Sequence, residues 1–356
     1  MSVAFSSDIF QSQKQGGISR YFAELQRQLR ARRYPSVVLA GLHANLHIAD
    51  CPRVLGWYAP SGVPFRLRTA SARAAEALWQ RLAPANALFH KSYFRGTAPA
   101  HRKVVLTVYD MIHERYPSDF AAADPTTARK RDWCNRADLI LSISHSTKRD
   151  LVEIFGIADS KIVVTHLGVR ARPVAVTAAA TAPYFVFVGG RAGYKNFDRL
   201  LEALARSRPA AAFRLIAFGG GPPSDAERRR IDELGLTGRV DFTGGDDDAL
   251  ARLYAGATAL AYPSQYEGFG LPPVEAMAQS CPVICSTGGS LQEVVGDAAL
   301  IIDPLDTDAI ADALGRIISD SALRADLTRR GRVRASLFTW ERTADATLAA
   351  YRQLGG

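Results

Sequence analysis

YPSQYEGFGLPPVEAM, residues 262–277, sets two glutamates, Glu267 and Glu275, eight positions apart around two glycines, two prolines and an aromatic ring. It continues from ATALAYPS (257–264), an apolar run that reads as a strand, so both glutamates stand beyond that strand's carboxyl end. Gly268 and Gly270 let the loop amides turn toward a ligand, while Pro272 and Pro273 suit a first helical turn that carries Glu275 inward. An ionised carboxylate only accepts hydrogen bonds, so each Glu is fitted to hold a pair of vicinal hydroxyls, as ribose and hexoses carry. Two unrelated surface glutamates are the plainer alternative, and the phosphate-like stretch described below argues against it.

The rhythm around this stretch decides the fold class. Short β-branched or apolar runs alternate with helical patterns along the whole chain, which predicts α/β architecture with parallel sheets. The second half has strand-like runs at 184–190, 213–220, 239–245, 257–264, 282–287 and 299–303, and the first half at 36–41, 87–93, 103–110, 139–144 and 161–168. Between them GVRARPVAVTAAATAP (168–183) lacks either periodicity and suits an interdomain connection. A chain of 356 residues exceeds the size at which one core usually keeps growing. Two Rossmann-like, doubly wound domains are therefore expected, 1–172 and 173–356, facing a central cleft in which ligands meet the carboxyl ends of the strands. FTWERTADATLAAYRQL near the C-terminus has helical spacing and is expected to pack back on the N-terminal domain.

Composition narrows the class. With 47% hydrophobic and 22% charged residues the chain is globular rather than disordered. The opening MSVAFSSDIFQSQKQGG has no basic segment leading into an apolar one, which points to a cytoplasmic protein. The most apolar stretch, 174–190, is too short and interrupted to span a bilayer. Cys51, Cys134, Cys281 and Cys285 lack metal-site spacing and read as free buried thiols. The +9 net charge is uneven: residues 1–172 carry 25 Lys and Arg against 13 Asp and Glu, so the first half should meet an anionic partner. Nucleic acid, an acidic membrane face and a phosphorylated acceptor all satisfy that sign. FRLRTASARAAEALWQRL (65–82) has the pattern of a basic amphipathic helix that would lie on such a membrane.

Other stretches suit anions. QGGISRYFAELQRQL (15–29) puts Gly16 and Gly17 at the mouth of an amphipathic helix, whose first N–H groups suit a phosphate; a plain turn before a core helix is the alternative. VFVGGRAGYKNFDRLLEAL (186–204) ends a strand in Gly189 and Gly190, then offers Arg191 and Lys195, two cations suited to a diphosphate. FGGG (218–221) follows a strand but lacks dinucleotide-fingerprint spacing. The Asp-x-Asp pattern in GDDDALARLY (245–254) reads as a helix cap in preference to a metal site. TVYDMIHERYP (107–117) sets Tyr109, Asp110 and His113 past a strand of the first half, where they suit a sugar hydroxyl or proton movement, or simply an Asp turn. His166 reads as a structural histidine.

Taken in order over nearly the full length, GGISRYFAEL, TVYDMIHERYP, SISHSTKRDL, GGRAGYKNFDRLLEAL, FTG with DALARLYAGA, and YPSQYEGFGLPPVEAMA resemble the GT-B glycosyltransferases of retaining family 4, mannosyltransferase-like branch. The Glu267 to Glu275 element matches the family's EX7E motif. The resemblance implies that Glu275 binds the donor ribose and that Glu267, with the amides of Gly268, Phe269, Gly270 and Leu271, holds the donor sugar. It implies that Arg191 and Lys195 neutralise the diphosphate, with Gly16, Gly17, Gly190 and Gly219 also in the donor site. Many relatives carry histidine where this chain has Tyr109, which leaves the roles of Asp110 and His113 open. An Asn-Gly pair of relatives corresponds here to Leu167-Gly168 after His166.

The activity so implied is metal- and cofactor-independent hexosyl transfer, with GDP-mannose as donor and a glycan or lipid pyrophosphate-linked saccharide as acceptor, in polysaccharide synthesis at the inner membrane. Nucleic acid is not an expected partner. Another GDP- or UDP-sugar, a nucleotide-sugar epimerase and a non-enzymatic binding module are the rival readings.

Overall fold

The computed structural model describes residues 1–59, 62–96, 99, 101–170 and 182–355. Two compact units emerge: unit 1 comprises Met1–Glu114, Ala121–Gly168 and Trp340–Gly356, and unit 2 comprises Arg115–Phe120 and Val169–Thr339. Most of the connection read at 168–183 lies outside the described residues.

Unit 1 is built on seven strands, Val3–Phe5 (β1), Ser36–His43 (β2), Val54–Tyr58 (β3), Leu88–Lys91 (β4), Val104–Val108 (β5), Leu139–Ser142 (β6) and Ile162–Val164 (β7). They lie in the order β3-β2-β1-β4-β5-β6-β7, all parallel. Its helices are Asp8–Ser12 (α1), Gly17–Ala31 (α2), Phe65–Leu82 (α3), Ile112–Arg115 (α4), Thr126–Arg136 (α5) and His145–Phe155 (α6). Covered on both faces, β4 and β5 are buried throughout, which is why their sequences are continuous rather than alternating. The apolar stripe of α2 buries Tyr21, Phe22, Leu25 and Leu29. At α6, the Ser144 hydroxyl accepts from the Thr147 amide at the start, and Gly156 closes the end in the left-handed region.

Unit 2 has six parallel strands, Tyr184–Val188 (β8), Arg214–Phe218 (β9), Val240–Thr243 (β10), Ala259–Tyr262 (β11), Val283–Ser286 (β12) and Leu300–Ile302 (β13), in the order β10-β9-β8-β11-β12-β13. Around them run Phe197–Arg206 (α7), Asp225–Glu233 (α8), Asp247–Gly256 (α9), Leu271–Ala278 (α10), Leu291–Val295 (α11), Thr307–Ser319 (α12) and Ser321–Ala335 (α13). Phe185, Phe187, Phe197, Leu200, Leu201 and Leu215 centre the core. The last helix, Trp340–Arg352 (α14), belongs to unit 1, where the buried Tyr351 hydroxyl lies 2.6 Å from His90 Nδ1.

The strand order of unit 2 reverses between β8 and β11. Crossovers leave in opposite directions there, so the loops after these two strands diverge and leave a crevice at their carboxyl ends. The β8 loop carries Arg191 and Lys195, and the β11 loop carries Glu267.

Candidate active site

At the switch point of unit 2 the Lys195 ammonium donates to Glu267 Oε1 at 2.6 Å and reaches the Tyr262 hydroxyl at 3.4 Å. The cation also lies over two rings, 5.2 Å from the centre of Tyr194 and 5.6 Å from that of Tyr262. Glu267 is 7% exposed, so the pair is largely withdrawn from water. Burial pushes the Tyr262 phenol well above its usual range, and the adjacent Glu267 carboxylate adds to the push, keeping it neutral. The site thus offers one cation, one carboxylate and one neutral hydroxyl.

Backbone contacts fix the two loops on each other. The Gln265 N–H donates to the Tyr194 carbonyl at 2.7 Å, joining the turn Gly193–Lys195 to the approach to Glu267. From the other side, the amide and hydroxyl of Ser290 both donate to the Glu267 carbonyl at 3.0 Å. Gly289 holds φ at +62°, and a Cβ there would overlap the Glu267 carbonyl oxygen. This third loop, Gly288 to Ser290 after β12, was not foreseen; a glycine pair just beyond a strand's carboxyl end was its available signal.

Gly270, with φ +89°, precedes α10, and Pro272 and Pro273 occupy its first turn, where missing N–H groups cost nothing. Pro273, Val274, Ala276 and Met277 are buried, whereas Glu275 is half-buried on the same helix. The Phe269 ring is turned into the core, edge-on to Phe338 with centres 5.5 Å apart, so its side chain serves packing. Leu271 begins α10.

The two cations of the β8 loop part company. Arg191 Nε donates to Glu227 Oε1 at 2.6 Å, Nη1 donates to the carbonyls of Gly219 at 2.8 Å and Gly221 at 3.1 Å, and Nη2 donates to that of Pro222 at 3.0 Å. Its guanidinium is stacked 4.9 Å from the Phe242 ring centre and its side chain is 5% exposed. Burial alone would raise the Glu227 carboxyl, but the hydrogen bonds from Arg191 and Ser224 outweigh it and hold the group below the usual range. Arg191 therefore ties the β8 loop, which also carries Gly190, to the glycine loop after β9, and only Lys195 reaches Glu267. Glu227 is the partner that the sequence reading missed; it also closes a capping box with Ser224 at the start of α8.

In unit 1, Gly16 and Gly17 stand at the start of α2 as the pattern suggested. There the Ser19 amide is met by Gln13 Oε1 at 3.2 Å, so a protein carboxamide already caps part of that helix end. Asp110 Oδ1 accepts the Ile112 N–H at 3.1 Å, the Asp turn weighed above. Lys130, 1% exposed, donates to the Asp110 carbonyl at 3.0 Å and to Glu114 Oε2 at 2.7 Å, and so fixes the turn from behind. His113 Nε2 is 3.8 Å from Asp124 Oδ2. Of the Asp-x-Asp residues, Asp246 caps α9 by accepting the Ala249 N–H at 2.8 Å. All four cysteines are free and buried, and burial pushes the Cys51 thiol up to about 11 and those of Cys134, Cys281 and Cys285 to about 12.

Two doubly wound units, with charged groups gathered at the switch point of the second, define a protein of the GT-B class. The model "Glycosyltransferase Family 4" matches residues 15–172 and "Glycosyl transferases group 1" matches residues 173–334. The chain belongs to glycosyltransferase family 4. It is 34% identical over 233 residues to the O-antigen chain mannosyltransferase B of Escherichia coli, covering 61% of each protein. It is 32% identical over 231 residues to the MMP alpha-(1->4)-mannosyltransferase of Mycolicibacterium hassiacum, covering 60% of this chain and 54% of that protein. The matched region thus spans about three fifths or less of these relatives' length.

Among solved structures, Anabaena HepE in complex with UDP-glucose matches with a TM-score of 0.78 over 100% of this chain and 99% of that one, at 19% identity. Sucrose-phosphate synthase from Thermosynechococcus elongatus matches with a TM-score of 0.76 over 99% and 98%, at 24% identity. At these identities the likeness establishes the fold.

Proposed function

We propose that the protein transfers a hexosyl group, mannose from GDP-mannose, to a hydroxyl of a glycan or lipid pyrophosphate-linked saccharide in bacterial polysaccharide synthesis, with retention at the anomeric carbon and without a metal. The observation that carries this reading is the 2.6 Å pair of Lys195 and Glu267 at the switch point of unit 2. The two mannosyltransferase relatives support the choice of sugar.

In this reading the bond between the anomeric carbon and the diphosphate oxygen breaks while the acceptor oxygen bonds to the same face of that carbon. The acceptor proton passes to the departing phosphate oxygen. Negative charge grows on the diphosphate, and Lys195, already held in place, stabilises it without reorganisation. Glu267 accepts from sugar hydroxyls, Glu275 from the ribose, and the amides of Gly268, Phe269, Gly270 and Leu271 complete the sugar contact. Arg191, with Gly190 and Gly219, shapes the phosphate loop. Unit 1 takes the acceptor, with Asp110 and His113 near its hydroxyl and Gly16 and Gly17 offering amides to phosphate.

In this reading a lipid-linked acceptor would bring the enzyme to the cytoplasmic face of the inner membrane. Supporting this, α3 exposes Phe65, Leu67, Leu78 and Leu82 beside Arg66, Arg73 and Arg81. Its one acid, Glu76, is turned to the Ser7 amide and hydroxyl. Among the described residues no helix is long and apolar enough to cross a membrane.

The test is incubation of the purified protein with GDP-mannose, UDP-glucose and UDP-N-acetylglucosamine, with and without a lipid-linked saccharide, followed by NMR of the products. Acceptor-dependent loss of GDP-mannose with an α-linked product is the expected result. Consumption of a different donor replaces the sugar assignment, and donor isomerisation without acceptor replaces transfer by epimerisation.

A further inference from the structure

Residues Arg115–Phe120, which run from the last residue of α4 toward α5, belong to unit 2, where they meet the donor loops. Asp119 Oδ2 accepts the Tyr194 N–H at 2.9 Å. The Tyr116 ring packs 5.7 Å from Tyr194 and 6.2 Å from Tyr266, centre to centre. Tyr194 is therefore held on both sides of its Cα, with its N–H on Asp119 and its carbonyl on the Gln265 amide. Its neighbour Lys195 pairs with Glu267, the neighbour of Tyr266. Gly193 turns at φ +56° under the Asp119 carboxylate, and a Cβ there would overlap Oδ2. Glycine thus meets both demands, a left-handed backbone and room for the carboxylate.

We infer that Asp119, seated by Tyr116, is a positioning residue for the donor site: it fixes the turn Gly193–Lys195 so that Lys195 and Glu267 stay apposed before the nucleotide sugar arrives. An unpinned turn would sample other orientations, and the diphosphate would have to restore the arrangement on binding, at a cost in affinity. This inference rests on the donor site proposed above. It adds to it a contact from a segment outside both the β8 loop and the β11 loop.

The test compares the wild-type chain with Asp119→Ala, Asp119→Asn, Gly193→Ala and Tyr116→Leu by calorimetric titration with GDP-mannose and UDP-glucose and by steady-state transfer kinetics. For Asp119→Ala we expect a roughly tenfold rise in donor KM, the scale of one lost charge-assisted hydrogen bond. Acceptor KM should stay within about twofold, a split that a general loss of folding would not produce. Asp119→Asn, whose amide oxygen still accepts from Tyr194, should recover most of the affinity, and Gly193→Ala should reproduce the loss. If Asp119→Ala does not fold, Asp119→Asn and Tyr116→Leu carry the measurement through intermediate rises in donor KM. Wild-type donor affinity in the folded variants overturns the inference alone. A wild-type chain that binds neither nucleotide sugar overturns the donor site, and this inference with it.

Discussion

Lys195 and Glu267 stand 72 positions apart in the chain, yet their charged atoms meet at 2.6 Å, because β8 and β11 are neighbours in the sheet and end together. The pair neutralises itself in the ligand-free protein. A diphosphate arriving on one side and a sugar hydroxyl on the other would divide it between them.

Removing either member should therefore impair catalysis, with effects that do not add. Lys195→Met is expected to lower kcat by about 100- to 1,000-fold, the scale for losing a preorganised group that faces developing charge. Glu267→Gln should cost about as much, and the double variant little more than either single one. Steady-state kinetics on the three variants checks this. Independent, multiplying losses would mean that the two groups serve different steps.

Arg191 calls for a different result. Its planar fork serves Glu227 and the carbonyls of Gly219, Gly221 and Pro222, acceptors that a lysine ammonium cannot serve together. Arg191→Lys should therefore lose stability, by about 1–3 kcal/mol, along with donor affinity. Thermal unfolding should show a fall in Tm, and Glu227→Gln a smaller fall. A variant with native Tm and lowered kcat would place Arg191 on the substrate instead.

How much of this could be read in the sequence depends on the range over which each signal acts. β8, β11 and β12 of unit 2 were legible because buried parallel strands stay apolar throughout, as in YFVFV. The loop after β11 was legible because Gly268, Gly270 and the proline pair constrain backbone within a few residues. β1 is three residues long, too short to show a pattern, and β3 is a partly exposed edge strand. The bonds from Arg191 to Glu227 and from the Tyr194 N–H to Asp119 join residues 36 and 75 positions apart, with no local periodicity to mark them. The assignment of Arg115–Phe120 to unit 2 is hidden for the same reason.

Acid stability should report on His90. This side chain is fully buried, its ring nitrogens 2.6 Å from the Tyr351 hydroxyl and 2.7 Å from that of Thr107, and burial lowers its pKa to about 3. Below the ordinary value near 6.5 the unfolded chain takes up a proton that the folded chain refuses. The group's contribution is therefore fully present above about pH 6.5 and is lost as pH falls toward 3, at about 1.4 kcal/mol per pH unit. In His90→Gln the acid limb of stability against pH should be shallower, whatever the variant's absolute Tm. Urea unfolding at a series of pH values measures the slope, and an unchanged slope would remove His90 from the account.

Membrane association should be reversible and salt-sensitive if α3 supplies it. Leu82 is 75% exposed, and Phe65, Leu67 and Leu78 are also open to solvent on this helix. Trp57, 74% exposed, lies on β3, against which α3 packs. Arginine stems extend the apolar surface while their guanidinium groups remain at phosphate level, so the helix would lie in the interface plane. Flotation with vesicles of phosphatidylglycerol and phosphatidylethanolamine should carry the protein upward at low ionic strength and release it as salt rises. Replacing Leu67 and Leu78 with Glu should abolish flotation while leaving transfer to a short soluble acceptor within about twofold, because neither residue belongs to the proposed donor site. Equal binding to neutral vesicles, or flotation that survives the double substitution, would remove α3 from the membrane contact.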